Sequence, residues 1–458
     1  MAISGTQVWN VQPGTGSDNN GGGFDPGVTS PGTDYSQASS PHVVFDGVTI
    51  AAHAAGATAT IIVTGYTVAT TDVGNTVQIT GGSAFLTGFY TITAASVGSV
   101  TWTLDRTCTS GAASGMTGNM GGTLNTVSKA FGAAVAANII YFKGTYTASA
   151  TLSFNLSSAP RPFCFVGYGT TPGDGAQATW TTSTNSIDMV SMGGSAQNLL
   201  FQNIIFTTTA GTVGSCIRAV SGNATFVACT NCSFSGFTYA LNGNFAVEYA
   251  ILGLFLDSCE IKNCTQDGVI NYAYTRILGC YIHGNTGNGV NMSGVEDYPG
   301  LTVAYSTIKS NGASGINISA SVSNLLVIDT VLLNCNLINN TADGLTVSNA
   351  HAANCPAVMM WNCAVDSNGG YGVNFSGGGK SWSLGVTGPN MRNNAYGSSS
   401  LANTSGNFSS GLSGDASDVS YSVDPFTSRS TGNFALNSTS GGGPVLKGAG
   451  YDFGNTGF

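Results

Sequence analysis

Cys259-Glu-Ile-Lys-Asn-Cys-Thr-Gln-Asp-Gly268-Val and Cys280-Tyr-Ile-His-Gly-Asn-Thr-Gly-Asn-Gly289-Val are two copies of one pattern. The chain repeats it three more times, from Ser306 to Gly315, from Cys335 to Gly344 and from Cys363 to Gly372. In every copy the glycine follows the start by nine positions, and an apolar residue stands at the third position: Ile261, Ile282, Ile308, Leu337, Val365. Another follows the glycine (Val269, Val290, Ile316, Leu345, Val373), and a third precedes each start by three (Leu256, Ile277, Val303, Leu332, Met360). Four copies carry Asn at the sixth position: Asn285, Asn311, Asn340 and Asn368. The starts lie 21, 26, 29 and 28 residues apart.

A period of 20 to 30 residues built from short alternating apolar runs, with no helical spacing, predicts a solenoid of β-coils. Each coil contributes short strands to parallel sheets, and each strand hydrogen-bonds to the coils above and below. Equal positions then stack. Cys259, Cys280, Cys335 and Cys363, with Cys232 before them, are expected to form a buried column. Asn285, Asn311, Asn340 and Asn368 are expected to form an amide ladder that holds a bend. The glycine is expected to supply a positive φ where the chain enters its next strand.

These coils resemble those of right-handed parallel β-helix proteins of the pectate-lyase-like superfamily, most clearly over residues 251–378 and more loosely over 121–395. The resemblance implies an all-β, right-handed parallel β-helix. It leaves function open, because such folds host many unrelated sites.

Composition narrows the partners. Only 7% of the residues are charged, the net charge is −9, and the 12 Lys and Arg are scattered, which argues against a nucleic-acid-binding surface. So few charges leave much neutral surface, as burial in a homo-oligomer or a larger particle requires. The 11 cysteines are odd in number and mostly on one column, so they read as buried thiols and not a disulfide framework. Cys229 and Cys232 form a C-x-x-C without a second pair at zinc spacing, so no metal site is expected. Reduced thiols point to folding in a reducing cytoplasm, and the Met1-Ala-Ile-Ser start lacks the features of a secretory signal. No apolar run reaches the length of a membrane span.

Taken in order, residues 1–46 read as an irregular arm with one short strand at Thr6-Gln-Val-Trp-Asn-Val11. Asp18 and Asp25 lie in its Gly-rich loop, where they serve either as calcium ligands or, more simply, as turn residues. Residues 47–120 read as a small β-sandwich-like module, with strands at 76–79, 89–93 and 100–104. A short helix follows, with Thr126 as N-cap and Val127, Ala130 and Phe131 at helical spacing, then a strand from Asn138; together they would cap the solenoid. The β-helix is expected over 121–395, and residues 396–458 as a segment closing its last coil.

Stacked coils would bring catalytic groups together in columns. The position after each start reads Glu260, Tyr281, Thr307, Asn336, Ala364; two further on, Lys262, His283, Lys309, Ile338, Asp366. No column puts two acids on neighbouring coils, as paired-carboxylate hydrolysis requires. Asp267 and Asp343 share a column three coils apart. Glu260, Lys262, Tyr281, His283 and Lys309 cluster on one outward strip, either a solvated polar face or a sugar-binding surface. Lys262, Tyr281 and Lys309 are the candidate ligand-binding residues. Glu260, His283 and Asp366 are the candidate catalytic ones, if the chain is an enzyme at all. Glu296, Asp297 and Tyr298 lie in an insertion that would overhang the strip.

The opening, Trp-x-Val followed by a Gly-Ser-Asp-x-Asn-Gly-Gly-Gly-Phe run, resembles that of β-helix proteins frequent in bacteriophage genomes. The resemblance implies a virion structural protein: a tail spike, tail fibre or capsid-attached spike. The expectation is a homotrimer with other virion proteins and host surface polysaccharide as partners, and no cofactor. The alternatives are an extracellular polysaccharide lyase or hydrolase and a secreted bacterial adhesin.

Overall fold

The computed structural model describes residues 5–376, apart from 54–57, 83–86, 108–110, 155–162, 194–196, 220–224, 244–251, 271–273, 294–299, 321–328, 350–357 and the single positions 64, 99, 136 and 212. Beyond 376 it describes only short pieces between 390 and 440, so most of the expected closing segment lies outside the described residues, as does the 296–298 insertion. The chain divides into two compact units; residues 1–147, 159–181 and 198–205 form the first, and 148–158, 182–197 and 206–458 the second.

The second unit holds the regular repeats, and they are the coils of a right-handed parallel β-helix. Each coil lays one strand in each of three parallel sheets. Strands Leu252–Asp257, Tyr274–Leu278, Gly300–Ala304, Asp329–Leu333 and Val358–Trp361 belong to the first sheet. The second runs through Ser233–Ser235, Glu260–Lys262, Tyr281–His283, Thr307–Lys309, Asn336–Ile338 and Ala364–Asp366. The third includes Tyr239–Asn242, Val269–Ile270, Val290–Ser293, Ile316–Ala320, Leu345–Asn349 and Val373–Ser376. The pairing is in register, with Ile261 opposite Ile282, Ile282 opposite Ile308 and so on to Val365. All fifteen apolar residues of the repeat are buried, each worth about 1.5–3 kcal/mol relative to exposure.

Two sharp bends bracket every second-sheet strand. The residue before each start (Ser258, Gly279, Tyr305, Asn334, Asn362) and the one four after it (Asn263, Gly284, Ser310, Asn339, Ser367) all adopt φ between 50° and 65°. The left-handed conformation therefore falls mainly to Asn and Ser, which tolerate it better than most residues. The repeated glycine has a different role from the one expected. Gly268, Gly289, Gly315 and Gly344 do not have positive φ; a Cβ on any of them would lie 2.6–2.7 Å from the next coil's glycine carbonyl oxygen and 2.8–3.1 Å from a ladder asparagine Nδ2. They are glycines because successive coils approach too closely there for any side chain.

The amide ladder forms as the spacing predicts. Asn285 Nδ2 donates to Asn311 Oδ1 at 2.9 Å, Asn311 Nδ2 to Asn340 Oδ1 at 2.9 Å, and Asn340 Nδ2 to Asn368 Oδ1 at 3.0 Å. Each Oδ1 also accepts from the backbone N–H of the rung before it, and Cys264, at the equivalent position of the preceding coil, donates its own to Asn285. Cys232, Cys259, Cys280, Cys335 and Cys363 stack inside, and none of the nine described cysteines forms a disulfide. Cys280 and Cys363 are fully buried, so a reagent cannot reach either thiol in the folded chain. Of the nine, only the half-buried Cys164 is expected to react with a thiol reagent at neutral pH. Mass spectrometry of labelled protein, native and in urea, checks this; native labelling of Cys280 or Cys363 would contradict it.

In the first unit the strands expected as a sandwich-like module close into a barrel. With β1 at Val8–Val11 and β2 at Gly23–Phe24, the barrel comprises β3 (Val43–His53), β4 (Thr58–Ile62), β5 (Thr76–Gly81), β6 (Gly88–Ala95), β7 (Thr101–Thr107) and β8 (Gly111–Met120). Their order is β3-β4-β7-β6-β5-β8, with β8 closing onto β3. Val77, Ile79, Ile92, Trp102, Leu104, Met116 and Met120 fill it. Asp72 is buried among them, accepting from Tyr66 Oη at 2.7 Å, Trp102 Nε1 at 2.8 Å and the Ala69 N–H at 3.0 Å.

The opening strand does not belong to an irregular arm. β1 pairs in parallel with β9 (Ile139–Lys143), Val8 opposite Ile139, and Trp9 Nε1 donates to Asn138 Oδ1 at 3.1 Å. The barrel is thus inserted between two neighbouring strands of one parallel sheet. Helix α1 (Val127–Ala133) precedes β9, with Thr126 Oγ1 accepting from the Lys129 N–H as its N-cap. Asp18 is structural, accepting from the Asn125 and Thr126 N–H groups and from Thr126 Oγ1, and so tying the Gly-rich loop to the start of α1. Asp25 accepts from the Gly27 N–H and Thr6 Oγ1, in the manner of a turn residue.

Candidate functional site

The second sheet's strands are three residues long, with the middle residue inward and the outer two facing out. That alternation brings together five residues of the outward strip in the second unit. Lys262, His283 and Lys309 occupy one column on successive strands, and Glu260 and Tyr281 the next. Glu260 is the hub. Its Oε2 accepts from Lys262 Nζ at 2.7 Å and Ser233 Oγ at 3.1 Å, while its Oε1 lies 3.2 Å from His283 Nε2. The His283 ring stacks on Tyr281 with centroids 4.1 Å apart, and Lys309 Nζ sits 5.1 Å from the Tyr281 centroid. The Glu260 and Lys262 side chains are each 33% exposed and His283 23%, so the cluster is half-buried yet reachable.

Electrostatics fix the protonation states. Burial pushes the Glu260 carboxyl up, but the hydrogen bonds from Lys262 and His283 outweigh it and hold the group below its ordinary value. Burial pushes His283 down, and the Lys262 and Lys309 cations add to that, outweighing the opposite pull of Glu260. At neutral pH the site is therefore carboxylate, neutral imidazole and two ammonium groups. An ionised carboxylate only accepts, so His283 Nε2 carries the proton and Nδ1 keeps the lone pair. The arrangement offers a ring face, two cations and an imidazole oriented by a carboxylate, which suits an acidic sugar and has the elements of acid–base chemistry.

The sixth candidate does not join them. Asp366 lies in the same column as His283 but three strands further on, about 14 Å at ~4.8 Å per strand. It is only 3% exposed, like Asn336 beside it at 3% and Ile338 at 0%. The strip is thus open at the Glu260 end and covered at the Asp366 end, which alternation alone cannot reveal.

Asp267 and Asp343 are structural. Asp267 accepts from the Asn288 N–H, Asn288 Nδ2 and Asn291 Nδ2. Asp343 accepts from the Tyr371 N–H, Thr346 Oγ1 and Asn374 Nδ2. Each joins its own coil to the next. Among the described residues no group of three or more His, Cys, Asp or Glu is placed to hold a metal ion, and no helix is long and apolar enough to cross a membrane.

Three stacked parallel sheets with an internal asparagine ladder define a right-handed parallel β-helix protein. Residues 220–396 match the family model described as a right handed beta helix region. Among solved structures the chain is similar to the Azotobacter vinelandii mannuronan C-5 epimerase AlgE4 A-module, with 12% identity over 57% of this chain and 68% of that one and a TM-score of 0.40. It is similar to pectate lyase Pel9A, with 14% identity over 69% of this chain and 85% of that one (TM-score 0.36). It is also similar to the tailspike protein gp49 from Pseudomonas phage LKA1, with 14% identity over 80% and 61% of the two chains (TM-score 0.21). No curated protein matches the sequence.

Proposed function

We propose that this chain is a spike- or fibre-like structural protein of a bacteriophage particle. In this reading it assembles with copies of itself and other virion proteins and contacts acidic glycans of the host surface through the strip on its second sheet. The observation that carries the glycan contact is the column of Lys262, His283 and Lys309 beside the Tyr281 ring, on strands locked in register. A sugar ring can lie on an aromatic face while ammonium groups take its carboxylates or phosphates. The buried, reduced thiols fit folding in a cytoplasm before assembly.

Binding to immobilised acidic polysaccharides tests this. The Lys262→Ala/Lys309→Ala protein is expected to bind about tenfold more weakly, from two partly exposed cations at about 0.5–1 kcal/mol each. Affinity is also expected to rise as pH falls through the His283 range, below the ordinary imidazole value, because protonation adds a positive charge beside Lys262 and Lys309. Affinity unchanged by both the double substitution and pH would remove the strip from consideration.

A second reading, a polysaccharide lyase or hydrolase, is favoured by one observation: the Glu260–His283 contact that leaves Nδ1 with a free lone pair. Progressive shortening of the bound polymer, abolished by His283→Ala, would make it the better one.

A further inference from the structure

Glu260 does more in the strip than orient His283. Lys262 Nζ lies 2.7 Å from its Oε2, Ser233 Oγ donates to the same oxygen at 3.1 Å, and His283 Nε2 lies 3.2 Å from Oε1. Donors from three successive strands thus converge on one carboxylate. Such convergence is how a protein holds a foreign acid group. Here the chain's own side chain occupies the position, and it stays ionised because Lys262 and His283 hold the carboxyl below its ordinary value.

The consequence is a polarised strip. A carboxylate accepts about four hydrogen bonds, so Glu260 has room for one more donor, such as a sugar hydroxyl, and none for a second anion. It neutralises Lys262 at contact distance. Lys309 stands two strand-to-strand steps from Lys262, about 9.6 Å at ~4.8 Å each. That exceeds the Debye length of about 8 Å at physiological salt, so Glu260 has little effect on the Lys309 charge. One end of the strip offers an acceptor and the other a cation. The interval between them is comparable to a disaccharide in an extended glycan.

We propose that Glu260 sets the specificity of the strip, which takes glycans of alternating acidic and neutral sugars in preference to polymers with an acid on every sugar. In the alternating polymer the acid falls at Lys309, and a neutral sugar donates a hydroxyl to Glu260. A polymer with an acid on every sugar brings a second carboxylate against Glu260. The two charges repel, and Lys262 can serve only one of them. The inference rests on the glycan contact in the proposed function but not on its self-assembly.

Two polymers test it on the full chain: hyaluronan, with an acid at every second sugar, and polygalacturonate, with an acid on every one. The native chain is expected to bind hyaluronan more tightly. Glu260→Gln is expected to raise affinity for polygalacturonate about fivefold, with a smaller gain for hyaluronan, because Lys262 is released to the polymer. Asp46→Asn, at an exposed position of the barrel, removes the same charge elsewhere and is expected to give no such gain. A native chain that binds polygalacturonate as tightly as hyaluronan overturns the inference, whatever the variants do. So does a Glu260→Gln protein whose gain on polygalacturonate is no larger than on hyaluronan, or no larger than that of Asp46→Asn. In those cases the strip remains a glycan site if Lys262→Ala/Lys309→Ala still weakens binding. A native chain that binds neither polymer removes the glycan contact as well.

Discussion

Asn311→Ala is expected to lower the stability of the second unit by about 4 kcal/mol. Asn311 is fully buried, and its side chain makes three hydrogen bonds: two accepted from the Asn285 N–H and Nδ2, and one donated to Asn340 Oδ1. Losing them costs about 1 kcal/mol each, and the buried Asn285 donors left without an acceptor cost about 1–3 kcal/mol more. Alanine leaves nothing in their place. Asn311→Asp is expected to be worse at neutral pH, because it keeps the acceptor but faces the Asn340 oxygen with a buried negative charge. Acid should relieve it, since a protonated carboxyl can donate to Asn340. Urea unfolding at two pH values measures both, the shift in midpoint at constant slope giving the loss. A loss below about 1 kcal/mol for the alanine, no more than one ordinary hydrogen bond, would mean that the ladder does not hold the bend.

Asp72→Ala should have a comparable effect in the barrel. Its carboxylate collects the Tyr66 hydroxyl, the Trp102 indole N–H and the Ala69 amide in a site closed to water. Bonds to a charged acceptor are worth about 1.5–3 kcal/mol each, so about 5 kcal/mol is at stake. Asp72→Asn is expected to cost much less, because its oxygen can serve Trp102 and Ala69 while the Tyr66 hydroxyl turns to accept from the new amide. Hydrogen exchange over residues 43–120 reads this locally, with faster exchange for the alanine and nearly native protection for the asparagine. Equal protection in both would show the barrel to be held by its apolar core alone. Trp102 contributes to that core and to the polar cluster at once, which makes it the side chain on which the two contributions meet.

Much of the coil was legible in the sequence, because a solenoid turns sequence periodicity directly into spatial columns. Cys280 could be assigned an inward position, Asn311 a rung of a turn ladder, and Lys262 and Lys309 one outward strip, from spacing alone. What escaped depends on contacts between coils or between distant segments. Gly289 looks the same whether it serves a positive φ or a close approach; only the neighbouring carbonyl of Gly315 distinguishes them. Strands 76–79, 89–93 and 100–104 were readable, but β8 closing onto β3 is a long-range pairing that turns a sandwich into a barrel. The partnership of Val8 with Ile139 spans the whole barrel and leaves no local trace. That Asp366 is buried, three strands from His283, was not readable, because alternation predicts which way a side chain faces and not what covers it.

The paired left-handed bends have an evolutionary consequence. Between them and the ladder, the distance from each start to its glycine is fixed. The stretch from the third-sheet strand to the next first-sheet strand, by contrast, takes 3, 6, 8 and 8 residues in successive coils (271–273, 294–299, 321–328 and 350–357). Length can therefore change at those junctions without disturbing a single rung, while one residue added between Cys280 and Gly289 would put Asn285 out of step with Asn311. Such a chain can acquire new surface loops one coil at a time, and lose them again, on a scaffold whose interior never has to be reinvented.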